Sequence, residues 1–574
     1  MASERSFVSA AIVGGLCTLL SRITGFARDV LLTTTFGLQS ITDAFWFAFT
    51  VPNLLRRLFA EGAIAAVFVP PFSRLLAKDD LAGAERLLAR ATALQTVSLT
   101  IIVLLIELLI WAIAVFGAPA APPGATSQNA ATLLNERGLM LTLTAIMQPY
   151  TIAVCVVALL ASILNCLGSF APAALTSAIL NVVMLVALLI GRALQWPTAQ
   201  QAIAVAISVV IAGVVQFVFL LFFLSGRRVR LGWEWNTTDP EVRGLLATFV
   251  PVVFGQGALM LGTFIDNLIC WAFRGSAASG STGTLFGWTF RYPLDEGAIA
   301  TLNIAQRLYQ FPLGVAAIAL GTAALPMLSR LIATEDWAGW NRQMRLALRL
   351  ALYVGLLAGT LLVAMPASFV RLLFEYGRVG PEGTARAAPV LAAYGWGMWA
   401  FCVQHIVLRG FYSRGDTTTP LRLSAFLVPL NVAISFVLIW HPAIREAAFG
   451  WSTAITSTLS VFVGLWLLNR PRAANALRGE ADGALVDGAL LSATVRMFAI
   501  SVASAWLLMW LAPWLLRTGR GLGIGEVGAR ALETFGGITI GTLVFLIVGA
   551  IVRLPEPRMV IATALRQRRS ATKA

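Results

Sequence analysis

Roughly fourteen stretches of about twenty mostly apolar residues recur along the chain, each long enough to cross the hydrocarbon core of a bilayer. They fall near 7–34, 42–70, 92–117, 139–166, 171–191, 201–224, 247–273, 298–325, 346–366, 386–409, 421–440, 448–468, 491–515 and 532–552. In lipid no water meets a free backbone N–H or C=O, so a segment of this length spans as an α-helix. The expected fold class is an all-α polytopic membrane protein. Composition agrees: 58% of the 574 residues are hydrophobic and 12% charged, against about 25% charged in soluble domains.

The net charge of +15 is carried almost entirely by arginine, with Lys78 and Lys573 the two lysines. Nucleic acid is excluded as the reason, because these charges sit mostly in the loops between apolar runs, as the positive-inside rule expects. With the N-terminus placed in the cytoplasm and sides alternating, the cytoplasmic loops hold about 26 of the 42 basic residues. Both termini are therefore expected in the cytoplasm. The first apolar run continues past Arg22 to about Leu32, too long for a signal-peptide h-region. The five cysteines (Cys17, Cys155, Cys166, Cys270, Cys402) lie in or beside apolar runs without metal-ligand or disulfide spacing, and two histidines build no metal site alone.

An internal repeat organises the spans. Val69-Pro70-Pro71-Phe72-Ser73-Arg74-Leu75-Leu76-Ala77 matches Leu325-Pro326-Met327-Leu328-Ser329-Arg330-Leu331-Ile332-Ala333. Gly25 and Asp29 align with Gly262 and Asp266, and Leu180-Asn181-Val182 with Leu430-Asn431-Val432, in the same order. Two six-helix repeats in parallel topology around a central cavity follow, with two C-terminal helices added; transporters built this way bind substrate between the halves. The expected domains are an N-terminal lobe at 1–225, a cytoplasmic linker at 226–246 and a C-terminal lobe at 247–469. A cytoplasmic loop at 470–490, the added helices at 491–552 and a basic cytoplasmic tail at 553–574 complete the chain.

Charges inside the spans mark candidate function, since each costs roughly 2.5–3.5 kcal/mol near the bilayer centre on insertion scales. The first two spans carry Arg22, Arg28, Asp29, Asp43, Arg56, Arg57 and Glu61. Arg22 and Asp29, seven apart, share nearly one helix face. Arg28 either lines the cavity, pairs with Asp29, or snorkels to the outer headgroups. Arg56 and Arg57 point about 100° apart. Arg56 is taken as the cavity ligand and Arg57 as the i,i+4 partner of Glu61. Asp43, near the outer end, is expected to pair with Arg28 when the cavity closes on that side, a gating role. In the second half Arg307 is the one cation deep in the eighth span, either facing the cavity or lying against Tyr309 as a cation–π pair. Asp266 is protonated or holds a cation, with Asn431 and Thr453 as further oxygen ligands, or it pairs with Arg307. Glu107 has no assigned role. Arg22, Arg28, Arg56 and Arg307 together suit a large anionic substrate, because arginine stays charged and binds phosphate bidentately.

At these residues the chain resembles the MurJ/MviN family, lipid II flippases of the multidrug/oligosaccharidyl-lipid/polysaccharide exporter superfamily. The likeness is carried by SRITGFARD (Ser21–Asp29), TDAFWFAF (Thr42–Phe49), PNLLRRLFAEGA (Pro52–Ala63), QRLYQFPLGV (Gln306–Val315), LFEYGR (Leu373–Arg378) and GFYSRGDTTTP (Gly410–Pro420). It covers twelve spans and weakens in the final pair. It implies a flippase, not an enzyme, that moves the undecaprenyl-diphosphate-linked peptidoglycan precursor to the outer leaflet of the bacterial cytoplasmic membrane. The cavity arginines then correspond to Arg22, Arg28, Arg56 and Arg307, and their acidic partners to Asp29, Asp43 and Glu61. Also implied are a lipid-tail groove on the last two helices, no cofactor, and drive by membrane potential or a cation such as sodium at Asp266. The implied partners are lipid II and membrane lipids, for a monomer in transient contact with cell-wall synthases.

Two departures stand out: Gln306 occupies a position where some relatives have an acid, and the Arg274–Gly297 loop is longer than usual. Its Gly/Ser run is expected to be flexible, with Trp288, Phe290 and Tyr292 at the membrane interface. The alternatives are a flippase of another lipid-linked oligosaccharide or a drug/cation antiporter of the same superfamily. A polyprenyl-diphosphate enzyme would need acid clusters, and the adjacent pair Asp79-Asp80 lies in a charged loop.

Overall fold

The structure, a computed structural model, describes residues 2–58, 67–116, 127–227, 229–235, 262–276, 280–285, 288–470, 485–557 and 559. Among these the chain is helical apart from one short hairpin. Helices α1 (Ala2–Phe36), α2 (Ser40–Arg56), α3 (Val69–Ala77) and α4 (Leu81–Phe116) come first. Next are α5 (Ser127–Met147), α6 (Pro149–Cys166), α7 (Phe170–Ala193), α8 (Thr198–Ser225) and α9, residues 262–272. Strands β1 (Thr282–Leu285) and β2 (Trp288–Arg291) precede α10 (Ala298–Ala333), α11 (Trp337–Ala364), α12 (Pro366–Phe374) and α13 (Gly380–Ser413). Then follow α14 (Thr418–Leu438), α15 (Ala448–Leu468), α16 (Gly488–Gly521) and α17 (Gly525–Ala531); a π-helical turn, Leu532–Gly536, leads into α18 (Gly537–Ile551).

Ten spans among the described residues are long and apolar enough to cross a membrane, and the fold is all-α and polytopic as expected. The other four predicted spans carry charge or run outside the described residues. The first forms α1, the second forms α2 before 59–66, the seventh is described only from 262, and the eighth forms α10. The fourth is broken at Gln148, because Pro149 has no N–H to continue α5 and instead starts α6.

By contacts the chain falls into two compact units, Met1–Ala300 and Thr301–Ala574. In the first, α1 lies along α7, α7 along α8, and α2 against α5 and α6. Gly213 of α8 lets the Tyr150 ring close in; a Cβ there would sit 2.9 Å from Tyr150 Cδ2. In the second, α13 is the central post, packed by α11 on one side and α15 on another. In its most apolar window 72% is buried, against 11% in α4, whose Leu104, Leu105 and Leu108 face outward. Small residues make these approaches: a Cβ on Gly359 would lie 2.7 Å from the Gly395 carbonyl oxygen, and one on Gly397 2.8 Å from Ala454 Cα. Between apolar helices in lipid such close backbone packing replaces the hydrophobic drive.

The repeat extends into backbone detail. After α3, Asp79 takes φ 57° and Asp80 Oδ1 accepts the Gly83 N–H at 2.8 Å; after α10, Glu335 takes φ 56° and Asp336 Oδ1 accepts the Gly339 N–H at 2.7 Å. In both turns the glycine lies directly against the capping carboxylate, which a Cβ there would push aside. The same turn thus starts α4 and α11.

The last helices join the second unit. Met365 packs among Leu508, Leu511, Ala512 and Leu515, and Tyr353 lies against Phe545 at 5.0 Å between centroids. Glu533, in the π-helical turn, accepts from Ser368 Oγ at 2.8 Å and pairs with Arg371 at 3.0 Å, while Arg530 reaches Glu375 at 2.9 Å. At the other end Arg349 meets Glu556 and Arg345 meets Asp487. Asp487 caps α16; the Leu490 N–H, and then Arg345, hold its carboxyl below the usual aspartate range.

The Arg274–Gly297 segment, expected as a flexible loop, carries a two-stranded antiparallel hairpin with Thr282 opposite Arg291 and Leu285 opposite Trp288. Its base is tied by the Gly275 N–H to the Leu294 carbonyl at 2.7 Å.

Replacing Gly359 with Ala should destabilise the protein by about 1–3 kcal/mol through overpacking. Gly138→Ala, where nothing lies within 4 Å, should not. Thermal unfolding of the purified protein in detergent compares the two.

Candidate functional site

In the first unit the site is built from α1, α2 and α7. Arg28 and Asp29 are 4% and 1% exposed, whereas Arg22, one and a half turns earlier, is exposed. Arg28 Nε and Nη2 both donate to Asp29 Oδ1, at 2.8 and 2.6 Å. Its Nη1 donates to Asn181 Oδ1 at 2.9 Å, with Met184 Sδ at 3.8 Å and the Phe49 ring 5.5 Å away. Arg28 is thus paired with Asp29 and joined to an amide from α7.

Asn181 uses both ends of its side chain. While Oδ1 accepts from Arg28, Nδ2 donates to the Ser21 carbonyl at 3.0 Å and to Thr24 Oγ1 at 3.4 Å. Gly25 provides the room, since a Cβ there would stand 3.0 Å from Nδ2. Ser21–Asp29 is therefore seated on α7 through one amide.

On α2, Pro52 removes the helical bond to the Ala48 carbonyl. One turn on, the half-buried Arg56 folds back so that Nε and Nη2 donate to Asn53 Oδ1 at 3.3 and 3.0 Å. Arg57 is half-buried, and Glu61, its expected partner, lies outside the described residues.

In this structure Asp43 is engaged with the start of α10 and with Arg274. Fully buried, it accepts the Gly297 N–H on Oδ2 at 2.8 Å and the Ala300 N–H on Oδ1 at 3.0 Å. It thus caps the N-terminus of α10, where a carboxylate offsets the helix dipole. Its cation is Arg274, 3.6 Å away.

Asp266 on α9 is 6% exposed, and its Oδ1 has no hydrogen-bond partner among the described residues. Asn267 beside it donates to Thr50 Oγ1 at 2.9 Å.

In the second unit, half-buried Arg307 sits on α10. Gln306 Nε2 donates to the Tyr394 hydroxyl at 3.4 Å, and Tyr309 stacks on Tyr394 at 4.4 Å. Asn431 Nδ2 donates to Ser452 Oγ at 3.3 Å and Thr456 Oγ1 at 3.1 Å, and Thr453 Oγ1 donates to the Phe449 carbonyl at 2.7 Å. These bonds fasten α14 to α15, so Asn431 occupies the repeat position of Asn181 with a different set of partners.

Three residues beyond the sequence-level set take part. Asn181 entered there only as a repeat marker, although an amide inside an apolar span is itself a signal. Asn53 and Arg274 left no signal, because a residue beside Pro52 and one at a span end read as ordinary.

A profile described as "Lipid II flippase MurJ" matches residues 32–518. The probable lipid II flippase MurJ of Vibrio cholerae is 32% identical over 472 residues, covering 82% of this chain and 83% of that one. Among solved structures, a lipid II flippase MurJ in an inward closed conformation aligns at TM-score 0.66 with 19% identity, covering 94% of this chain and 98% of the other. A multidrug resistance MATE family transporter of the MOP superfamily aligns in its inward-facing conformation at TM-score 0.61 and 14% identity, over 82% of this chain and 99% of that one. An outward-facing one aligns at 0.54 and 13%, over 81% and 96%. These structural likenesses carry the fold.

Asp29→Ala should cost about 3–5 kcal/mol, since it strands the buried Arg28 charge; the double variant Arg28→Met with Asp29→Leu should cost less than Asp29→Ala alone. Thermal unfolding of the three proteins gives the comparison.

Proposed function

This chain belongs to the lipid II flippase MurJ family, and from that premise we propose that it carries lipid II to the outer leaflet of the bacterial cytoplasmic membrane by alternating access. The residues proposed to hold the diphosphate are Arg22, Arg28, Arg56 and Arg307. The observation that carries this is the intramembrane charge of α1 and α2. Among their described residues Arg22, Arg28 and Arg56 stand within the apolar helices α1 and α2 beside the carboxylates Asp29 and Asp43, and Asp43 also caps α10 and pairs with Arg274. Arginine keeps its charge at any accessible pH, so a ligand bearing negative charge is what balances the excess. A guanidinium fork matches phosphate oxygens bidentately and would exchange protein acceptors for them.

The last two helices supply the wall for the lipid tail; their fastening to α11 and α12 at both ends supports that role. Asp266 seats the coupling cation. Its carboxylate is buried with one oxygen unpartnered, which favours a hard monovalent ion over a purely structural acid.

In cells depleted of the protein, lipid II should become inaccessible at the outer face, and Arg56→Ala should fail to restore it. Arg56→Lys, which keeps charge without the fork, should restore it in part. Normal outer-face exposure on depletion, or full rescue by Ala variants at all four arginines, would sink the reading. Separately, Asp266→Asn in reconstituted vesicles should lower the flipping rate about tenfold, roughly 1.4 kcal/mol, and abolish its sodium dependence. A rate that still follows sodium would remove Asp266 from coupling.

A further inference from the structure

The outer ends of α2, α5 and α9 and the first turn of α10, all within the first unit, meet at one guanidinium. Arg274, just after α9, is 7% exposed. Its Nη1 donates to Ser40 Oγ at 2.8 Å and lies 3.6 Å from Asp43 Oδ2; its Nη2 lies 3.8 Å from Glu136 Oε2. The guanidinium carbon stands 4.0 Å over the Trp271 ring. Ser40 Oγ in turn donates to Glu296 Oε2 at 3.1 Å. Gly297 has φ +81°, and a Cβ there would be 2.5 Å from the Leu38 carbonyl carbon, so the start of α10 sits directly on the α1–α2 turn.

We propose that Arg274 is the positioning residue of an outer-side latch. Its guanidinium holds the Asp43 carboxylate on the first turn of α10, and release of that hold lets the outer end of α2 part from the α9–α10 connection. The inference rests on the alternating-access reading and not on the identity of the substrate. Three features make Arg274 more than a packing cation. It touches both residues that engage the α10 start, Asp43 directly and Glu296 through Ser40. It is outnumbered by the carboxylates Asp43, Glu136 and Glu296, so removing its charge leaves acids facing one another in a buried site. Its backbone also bridges to Leu294 at the base of the hairpin, so the loop and the latch share a single residue. Lysine cannot replace the planar fork that reaches Ser40, Asp43 and Glu136 while stacking on Trp271.

Hydrogen exchange of the full-length protein in lipid nanodiscs, without substrate, tests this. Arg274→Gln should raise exchange at least tenfold in the peptide covering 295–302, whose Gly297 and Ala300 amides bond Asp43. Peptides within α8 and α13 should stay at wild-type rates. Arg274→Lys should fall between. Trp271→Leu, which removes the stacking surface and keeps the charge, should raise the same peptide by a smaller factor, and it decides the matter if Arg274→Gln does not fold. Wild-type exchange at 295–302 in Arg274→Gln, or in Trp271→Leu where that variant must decide, overturns the proposal; so does an equal rise everywhere. Because no lipid II is present, a wrong substrate assignment leaves this outcome unaffected.

Discussion

Arg28 cannot shed its proton, so inside a bilayer its guanidinium must be met by acceptors in every state the protein visits. In this structure that demand is met by Asp29 on its own helix and Asn181 on α7, and the rest of the first unit follows from it. Asn181 can reach Arg28 only if α1 comes close enough for Gly25 to touch the amide, which fixes how α1 lies on α7. The same side chain donates to the Ser21 carbonyl, so the segment carrying Arg22 is held by the amide that also accepts from Arg28.

The start of α10 uses a related device with the sign reversed. Asp43 is a buried carboxylate, and its oxygens are met by the free N–H groups of the α10 N-terminus as well as by Arg274. Helix ends carry unsatisfied donors that must find partners in a medium without water. Capping α10 with a residue from α2 turns a local requirement of one helix into a contact between two.

Packing elsewhere is set by small residues. Gly359, Gly397 and Gly450 bring α11, α13 and α15 to backbone contact, and the serine and threonine seam around Asn431 joins α14 to α15. Where Asn181 meets a cation, Asn431 meets hydroxyls, so the two repeats keep a backbone plan while diverging in the chemistry of equivalent positions. The shared capping turns at Asp80 and Asp336 show the plan persisting where only backbone geometry is at stake.

Helical spans, their order, the repeat and the charged stretch Ser21–Asp29 were all legible in the amino-acid sequence. Each depends on local properties: apolar length against bilayer thickness, the satisfaction of backbone groups, and the cost of an intramembrane charge. Family membership was legible for the same reason, through contiguous motifs such as Pro52–Ala63. Charge partners were not. Arg28 had a neighbour in sequence, Asp29, and a candidate one helix away, Asp43; spacing could not rank them, and it could not anticipate Arg274, placed in an outer loop as flexible. Partner choice depends on which helix ends meet and on where a glycine allows an amide to enter, distances set by packing among segments 150 to 250 residues apart. The sequence by itself determined that these charges must be neutralised; the tertiary structure alone decided by whom.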